Sequence, residues 1–169
     1  QMMKIVPVLG LDFSQANLTF DDDICLHRTK EDKPRIYMRI IDKFVEVLGP
    51  LTENYCLPYV FGCKALPGGT TSDLMALSGH YFKPELKYKN LVYRYVKTVN
   101  RIEFALPPNH SPIFEKAEYF AKLAKNENLK NFFVHLHITP GLVEDYQGLI
   151  KTILERNSPS NGKFREIIL

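Results

Sequence analysis

Val6-Pro7-Val8-Leu9-Gly10-Leu11-Asp12-Phe13-Ser14-Gln15-Ala16-Asn17 runs apolar and then stops on a carboxylate and a hydroxyl. A continuous apolar run bounded by polar residues fits a strand of a parallel sheet covered on both faces, and Lys4 to Phe13 reads as one. Pro7 lies early in the run, where a missing N–H does least damage. In an open α/β sheet, the residues at a strand's carboxyl end face the ligand crevice. Asp12 and Ser14 stand there, one residue apart and pointing the same way. Asp-x-Ser can offer a carboxylate and a hydroxyl oxygen to a hard divalent cation. It equally suits an Asx-type turn capped through backbone N–H groups, and the dipeptide alone favours the turn. An aspartyl phosphotransferase would want a second carboxylate where Ser14 stands.

Working outward, 169 residues suit one domain with a full core, and 45% apolar with 24% charged residues places the chain among soluble globular proteins. A net charge of +3 is too small to imply a nucleic-acid partner. Cys25, Cys56 and Cys63 are odd in number and form no C-x-x-C pair, so free thiols in a reducing, cytoplasmic setting are the simplest reading. No run approaches a membrane span, and no signal peptide opens the chain. Gln1-Met2-Met3 reads as the edge of a longer protein.

Asn17 to Lys33 is polar, with Asp21-Asp22-Asp23, and reads as a surface loop with a short edge strand at Ile24-Cys25-Leu26. No Gly or Glu follows the acidic triple at calcium-loop spacing. Pro34 to Leu48 reads as a helix stopped by Gly49-Pro50. Its expected buried stripe is Ile36, Ile40, Phe44 and Val47, flanked by Tyr37, Ile41 and Leu48. Leu57 to Phe61 is a second buried strand. Lys64 to Pro84 is a long connection, and its Pro67-Gly68-Gly69-Thr70-Thr71 lacks the Gly-Lys-Ser/Thr of a phosphate loop. Leu86 to Ile102 reads as one helix, with Tyr88, Val92, Tyr95, Val96 and Val99 on its apolar side and Lys87, Arg94, Lys97 and Arg101 opposite. From Lys83 to Arg101 six basic residues face one acid, a surplus larger than that of the whole chain. Such a stripe is an ordinary solvated face or an attractor of lipid phosphate or an acidic partner.

Phe104 to Asn109 reads as a loop, and Ser111-Pro112 opens a helix with Ser111 as its N-cap. Ile113, Ala117, Phe120, Ala121 and Ala124 are its expected buried stripe. Asn131 to Ile138 is a third buried strand, with His135 and His137 on one face. His-x-His can be a metal pair, but no third ligand is visible, which favours packed or cap-bonded histidines. Leu142 to Arg156 reads as a further helix and Phe164 to Leu169 as a last strand. Strands alternating with helices predict an α/β fold, a mainly parallel central sheet with helices on both faces and the Asp12 strand in its middle.

These segments together resemble a known family. Leu11-Asp12-Phe13-Ser14-Gln15-Ala16-Asn17 resembles the Asp-Phe-Thr-x-Ser-Asn opening of the copine A domain, and Leu26-His27 its Leu-His. Tyr59-Val60-Phe61-Gly62-Cys63-Lys64-Ala65-Leu66-Pro67 is similar to the family's Phe-Gly-Phe-Gly-Ala-x-x-Pro. Pro107-Pro108-Asn109-His110-Ser111-Pro112-Ile113 resembles Pro-Thr-Asn-Phe-Ser-Pro-Ile, and His137-Ile138-Thr139-Pro140-Gly141 resembles Ile-Ile-Thr-Asp-Gly. The matches run in chain order. The resemblance implies a three-layer, Rossmann-like von Willebrand factor A fold over residues 1–169, cut short at its C-terminus and taken from a longer protein. In copines this domain follows two calcium-dependent lipid-binding modules and docks proteins; plant relatives carry a RING segment. It also implies a metal-ion-dependent adhesion site built from Asp-x-Ser-x-Ser, a distant Thr and a distant Asp. Asp12 and Ser14 match. Ala16, Pro108 and Pro140 stand where the other three would be, and none offers a side-chain oxygen.

The expected function is therefore a non-enzymatic protein-binding module with no cofactor and a degenerate metal site. The Asp12 and Ser14 remnant should hold magnesium or manganese only weakly. The partner should dock at the carboxyl-end crest formed by Asp12, Ser14, Asn17, Asn109, His110 and Ser111. The alternative is an electrostatic binder of anionic lipid at the membrane periphery, or of an acidic ligand, through Lys87, Arg94, Lys97 and Arg101. A hydrolase or phosphotransferase using Asp12 or Ser14 ranks last, because no motif places a base.

Overall fold

The run from Lys4 to Asp12 forms β1 (Lys4–Asp12), and its last seven residues are all buried. The computed structural model describes residues 4–18, 26–27, 35–65, 71–72, 74–80, 82–106, 108–127, 129–141, 146–156 and 164–168. After β1 come α1 (Ile36–Leu48), β2 (Tyr55–Phe61), β3 (Cys63–Ala65), β4 (Thr71–Ser72), β5 (Met75–Ala76), β6 (Leu86–Lys87) and α2 (Leu91–Val99). The chain continues with β7 (Ile102–Phe104), α3 (Ser111–Asn126), β8 (Asn131–Ile138), α4 (Tyr146–Arg156) and β9 (Phe164–Ile168).

Among the described residues the main sheet runs β5-β2-β1-β8-β9, with β6 also paired to β2. β1 lies parallel to both β2 and β8, and β9 lies parallel to β8; β5 and β6 add antiparallel pairs on β2. A second ribbon, β4-β3-β7, is antiparallel. The strand period of two divides the core cleanly. Leu9, Leu11 and Phe13 pack with Tyr37 and Ile41 of α1 and Leu91 and Tyr95 of α2. Val6 and Val8 pack on the other face with Ile113, Phe114 and Ala117 of α3, and Leu149 and Ile153 of α4 join them. This is a mainly parallel sheet with helices on both faces and β1 at its centre, as the alternation of elements predicts.

Several local expectations need correction. Leu86 to Ile102 is not one helix. Leu86–Lys87 pairs with Cys56 and Tyr55 of β2, a 3-10 turn follows at Tyr88–Asn90, and only Leu91–Val99 is α-helical. Pairing the edge of β2 outweighs helix propensity there. The buried positions of α1 are Tyr37, Ile41 and Phe44, whereas Ile36 and Val47 are 48% and 63% exposed. The helix is turned by about one residue from the expected stripe, which brings the Tyr37 hydroxyl onto Asn17 Oδ1 at 2.9 Å. The Lys64 to Pro84 connection holds the end of β3, then β4, which pairs with β3, and β5, which pairs with β2. Phe104 belongs to β7 rather than to a loop, and the second strand begins at Tyr55. His110, not Ser111, is the residue before the first turn of α3, and Asn109 Oδ1 accepts the Ser111 N–H at 3.2 Å. Asp21-Asp22-Asp23, Ile24, Cys25, Pro34, Pro67 to Thr70, Leu142 and Leu169 lie outside the described residues.

Candidate functional site

The crest at the carboxyl end of β1 is built by short-range hydrogen bonds. Asp12 is fully buried, and Ser14 N–H donates to its Oδ1 at 2.8 Å, closing an Asx turn. The Thr139 hydroxyl, one residue past β8, donates to Oδ2 at 2.9 Å. Asn17 Nδ2 reaches the Asp12 carbonyl at 2.9 Å, Oδ1 at 3.4 Å and the Ser14 carbonyl at 3.2 Å. The amide of Asn17 thus ties the turn to itself, while its Oδ1 receives Tyr37 from α1. The crest loop is also laid against β2, since Phe13 N–H donates to the Phe61 carbonyl at 2.8 Å. Gly62 follows with φ 73°, and a Cβ there would lie 2.8 Å from Ser14 Cβ, so only glycine fits.

His27 completes the network from below. One ring nitrogen, Nε2, lies 2.8 Å from the Asp12 carbonyl and Nδ1 lies 2.9 Å from the Tyr95 hydroxyl. A carbonyl only accepts, so Nε2 carries the proton and Nδ1 accepts from Tyr95. The ring packs on Tyr37 with centroids 4.0 Å apart and on Phe104 at 5.3 Å. Burial pulls its pKa down to about 3 against the Asp12 hydrogen bond that favours the charged form. On the α3 side, His110 Nδ1 and His137 Nε2 are 2.9 Å apart, walled by Phe61 and Phe114. Burial, then the His135 and His110 rings, lowers the His137 pKa well below its ordinary value. Gly10 makes room for these rings, because a Cβ there would sit 3.2 Å from His137 Nδ1 and 3.3 Å from His135 Nε2.

The expected crest residues therefore divide. Asp12, Ser14 and Asn17 are hydrogen-bonded together, His110 sits against His137, and all four are buried, so a partner cannot touch their side chains in this arrangement. Asn109, Ser111 and the Thr139-Pro140-Gly141 turn form the outward part. Asp12 pairs with Thr139 and not with His110, whose ring turns to His137. The expected basic stripe is likewise split among elements. Arg94 and Lys97 lie on α2, Lys87 on β6 and Arg101 in the turn after α2. None of the four makes an ion pair among the described residues, and Lys97 lies 5.9 Å from the centre of the exposed Tyr93 ring.

Thr139, His27, Tyr37 and Tyr95 belong to the site but stand outside the set that the sequence predicts. Their hydrogen-bond partners are 15 to 127 residues away in sequence, and only Leu26-His27 and the Thr139-Pro140 turn leave a local trace, as part of the resemblance.

The fold family implies a divalent cation at this crest. One feature suits it: the buried Ser14 Oγ has no hydrogen-bond partner among the described residues. The rest of the donor set does not fit. Both Asp12 oxygens already accept hydrogen bonds, and Ala16, Pro108 and Pro140 supply no side-chain oxygen where further ligands would be needed. Among the described residues no three His, Cys, Asp or Glu side chains gather as a metal cage. Nor is a thiol activated nearby, since burial and the Asp12 charge push Cys63 up to about 12. No helix of the described residues is long and apolar enough to cross a membrane.

A family model described as Copine matches residues 25–159. No curated protein matches the chain.

Proposed function

The chain belongs to the copine family, whose domain is von Willebrand factor A-like, and we propose that it is a non-enzymatic protein-binding module docking its partner on the crest of the sheet. The observation that carries this reading is the closed Asp12 network. Ser14 N–H, Asn17 and the Thr139 hydroxyl use both carboxylate oxygens, so the crest is a pinned platform rather than a nucleophile with a base. A rigid scaffold presenting exposed loop residues is how binding surfaces are commonly built. Here the presented groups are Asn109, Ser111 and the Thr139-Pro140-Gly141 turn, held in place by His110 on His137. The module works without a tightly bound divalent cation, in a parent protein linked to calcium-dependent phospholipid binding. A photo-crosslinking residue at Asn109 or Ser111 of the parent protein is expected to give discrete protein adducts in cells. The same reagent at Glu46 of α1 serves as control. Identical adducts from all three positions, or none from the crest, would count against a crest interface.

The second reading is weak electrostatic attraction to anionic lipid. It rests on Lys87, Arg94, Lys97 and Arg101, none of them ion-paired among the described residues. A base near an anionic surface contributes about 1 kcal/mol, enough for salt-sensitive contact but not for anchoring. Co-sedimentation with phosphatidylserine vesicles at low salt should fall when Arg94, Lys97 and Arg101 are changed to Glu. Equal binding to neutral vesicles would end this reading.

A further inference from the structure

A groove of about 640 Å³ runs along α3 from Pro112 to Leu123. One wall is the helix itself, with Pro112, Tyr119 and Phe120; the other is the extended segment carrying Phe82 and Pro84. Two aromatic rings stand open to water here: Phe82 is 91% exposed and Tyr119 54%. Burying neither is costly, because each open ring forgoes the transfer free energy of its apolar surface. Clustered exposed rings on a folded domain mark interaction surfaces.

The charges of the groove are asymmetric. Among the described residues that line it the one cation is Lys116, 5.0 Å from the centre of the Tyr119 ring and 5.4 Å from that of Phe120. Its two carboxylates, Glu85 and Glu115, are exposed and make no ion pair among the described residues. The groove thus offers flat rings and prolines along its walls, with two carboxylates among them that no cation neutralises among the described residues.

We propose that this groove binds a proline-rich peptide segment flanked by a basic residue. Proline rings stack on exposed aromatic faces, and a polyproline II strand is already ordered before it binds, so little entropy is lost on docking. Its backbone stays solvated, which lets it lie between the two carboxylates without stripping them of water. An amphipathic helix would press an apolar face over Glu85 and Glu115 and desolvate both. A flanking arginine or lysine gives those carboxylates the partner they lack.

The test is fluorescence anisotropy of the 169-residue chain with four labelled peptides. They are decaproline, decaproline with one terminal arginine, a glycine–serine decamer with the same arginine, and a leucine-rich helix former. Saturable binding of arginine-flanked decaproline is expected, with weaker binding of plain decaproline and none of the glycine–serine peptide. Phe82→Ala and Tyr119→Ala, at exposed positions that leave the fold intact by circular dichroism, should each weaken binding about three- to tenfold. Glu115→Lys should weaken the arginine-flanked peptide about fivefold and leave plain decaproline unchanged. Absence of saturable binding overturns the proposal. So does equal binding of the glycine–serine peptide, indifference to both ring substitutions, or preference for the helix former.

Discussion

Acidification from pH 7.5 to 5.0 should weaken this domain through a histidine that is nowhere near its surface. His27 is fully buried between Tyr37, Phe13 and Phe104. Burial lowers its pKa from 6.5 to about 3, with Arg35 adding to the same direction and the Asp12 carbonyl opposing it. The folded state keeps the ring neutral, while the unfolded chain takes up a proton below pH 6.5. Between the two values the unfolded chain binds more protons, so stability is complete above the unfolded pKa and is lost as pH falls toward the folded one. At 1.36 kcal/mol per unit, the drop to pH 5.0 removes about 2 kcal/mol through His27 alone. His137, also lowered by burial, adds to the loss in the same window. Set against a total stability of about 5–15 kcal/mol for a domain, this is a visible fraction. Urea unfolding at pH 7.5, 6.5 and 5.0 reads it directly. His27→Gln should be less stable at pH 7.5, because the ring packing is gone, yet lose about 2 kcal/mol less than the parent on acidification. A flat profile in the unmodified chain, or an undiminished slope in His27→Gln, would refute the reasoning.

Three substitutions probe the crest. Asp12→Ala strands the Ser14 N–H and the Thr139 hydroxyl, and an unmet buried donor costs about 1–3 kcal/mol each, so a loss of about 3 kcal/mol is expected in urea unfolding. Ser14→Ala removes a buried hydroxyl that has no hydrogen-bond partner among the described residues and should be neutral or stabilising by up to about 1 kcal/mol in the same assay. Gly62→Ala forces a Cβ against Ser14 at φ 73° and should destabilise by about 2 kcal/mol or more, read as a lower thermal midpoint.

How much of this was legible in the sequence follows from range. β8 matches its expected limits, because an unbroken run of eight residues rich in aromatic and β-branched side chains carries its own signal. β1 ends one residue before the expected Phe13. The rotation of α1 was not legible: Tyr37 is buried by a bond to Asn17 that periodicity cannot show. The two-residue strands β4, β5 and β6 carry no period at all and exist because β2 and β3 offer them edges. At the crest, Asp12 and Ser14 announced themselves by breaking an apolar run. The dipeptide favours the Asx turn, and it forms. What filled the other carboxylate oxygen was not visible, because Thr139 sits 127 residues away and passed as a turn residue beside Pro140.

Calorimetric titration with magnesium and manganese tests the central claim, that Asp12 is spent on holding the crest and not on a cation. No saturable heat in the micromolar range is expected from the unmodified chain, and 1 mM manganese should leave the thermal midpoint unmoved. Restoring oxygens with Ala16→Ser and Pro140→Asp together should raise affinity steeply, since a hard cation wants about six oxygen ligands. Micromolar affinity in the unmodified chain, which at 1 mM metal and a dissociation constant of about 10 µM would stabilise the fold by about 2.7 kcal/mol, would contradict the account.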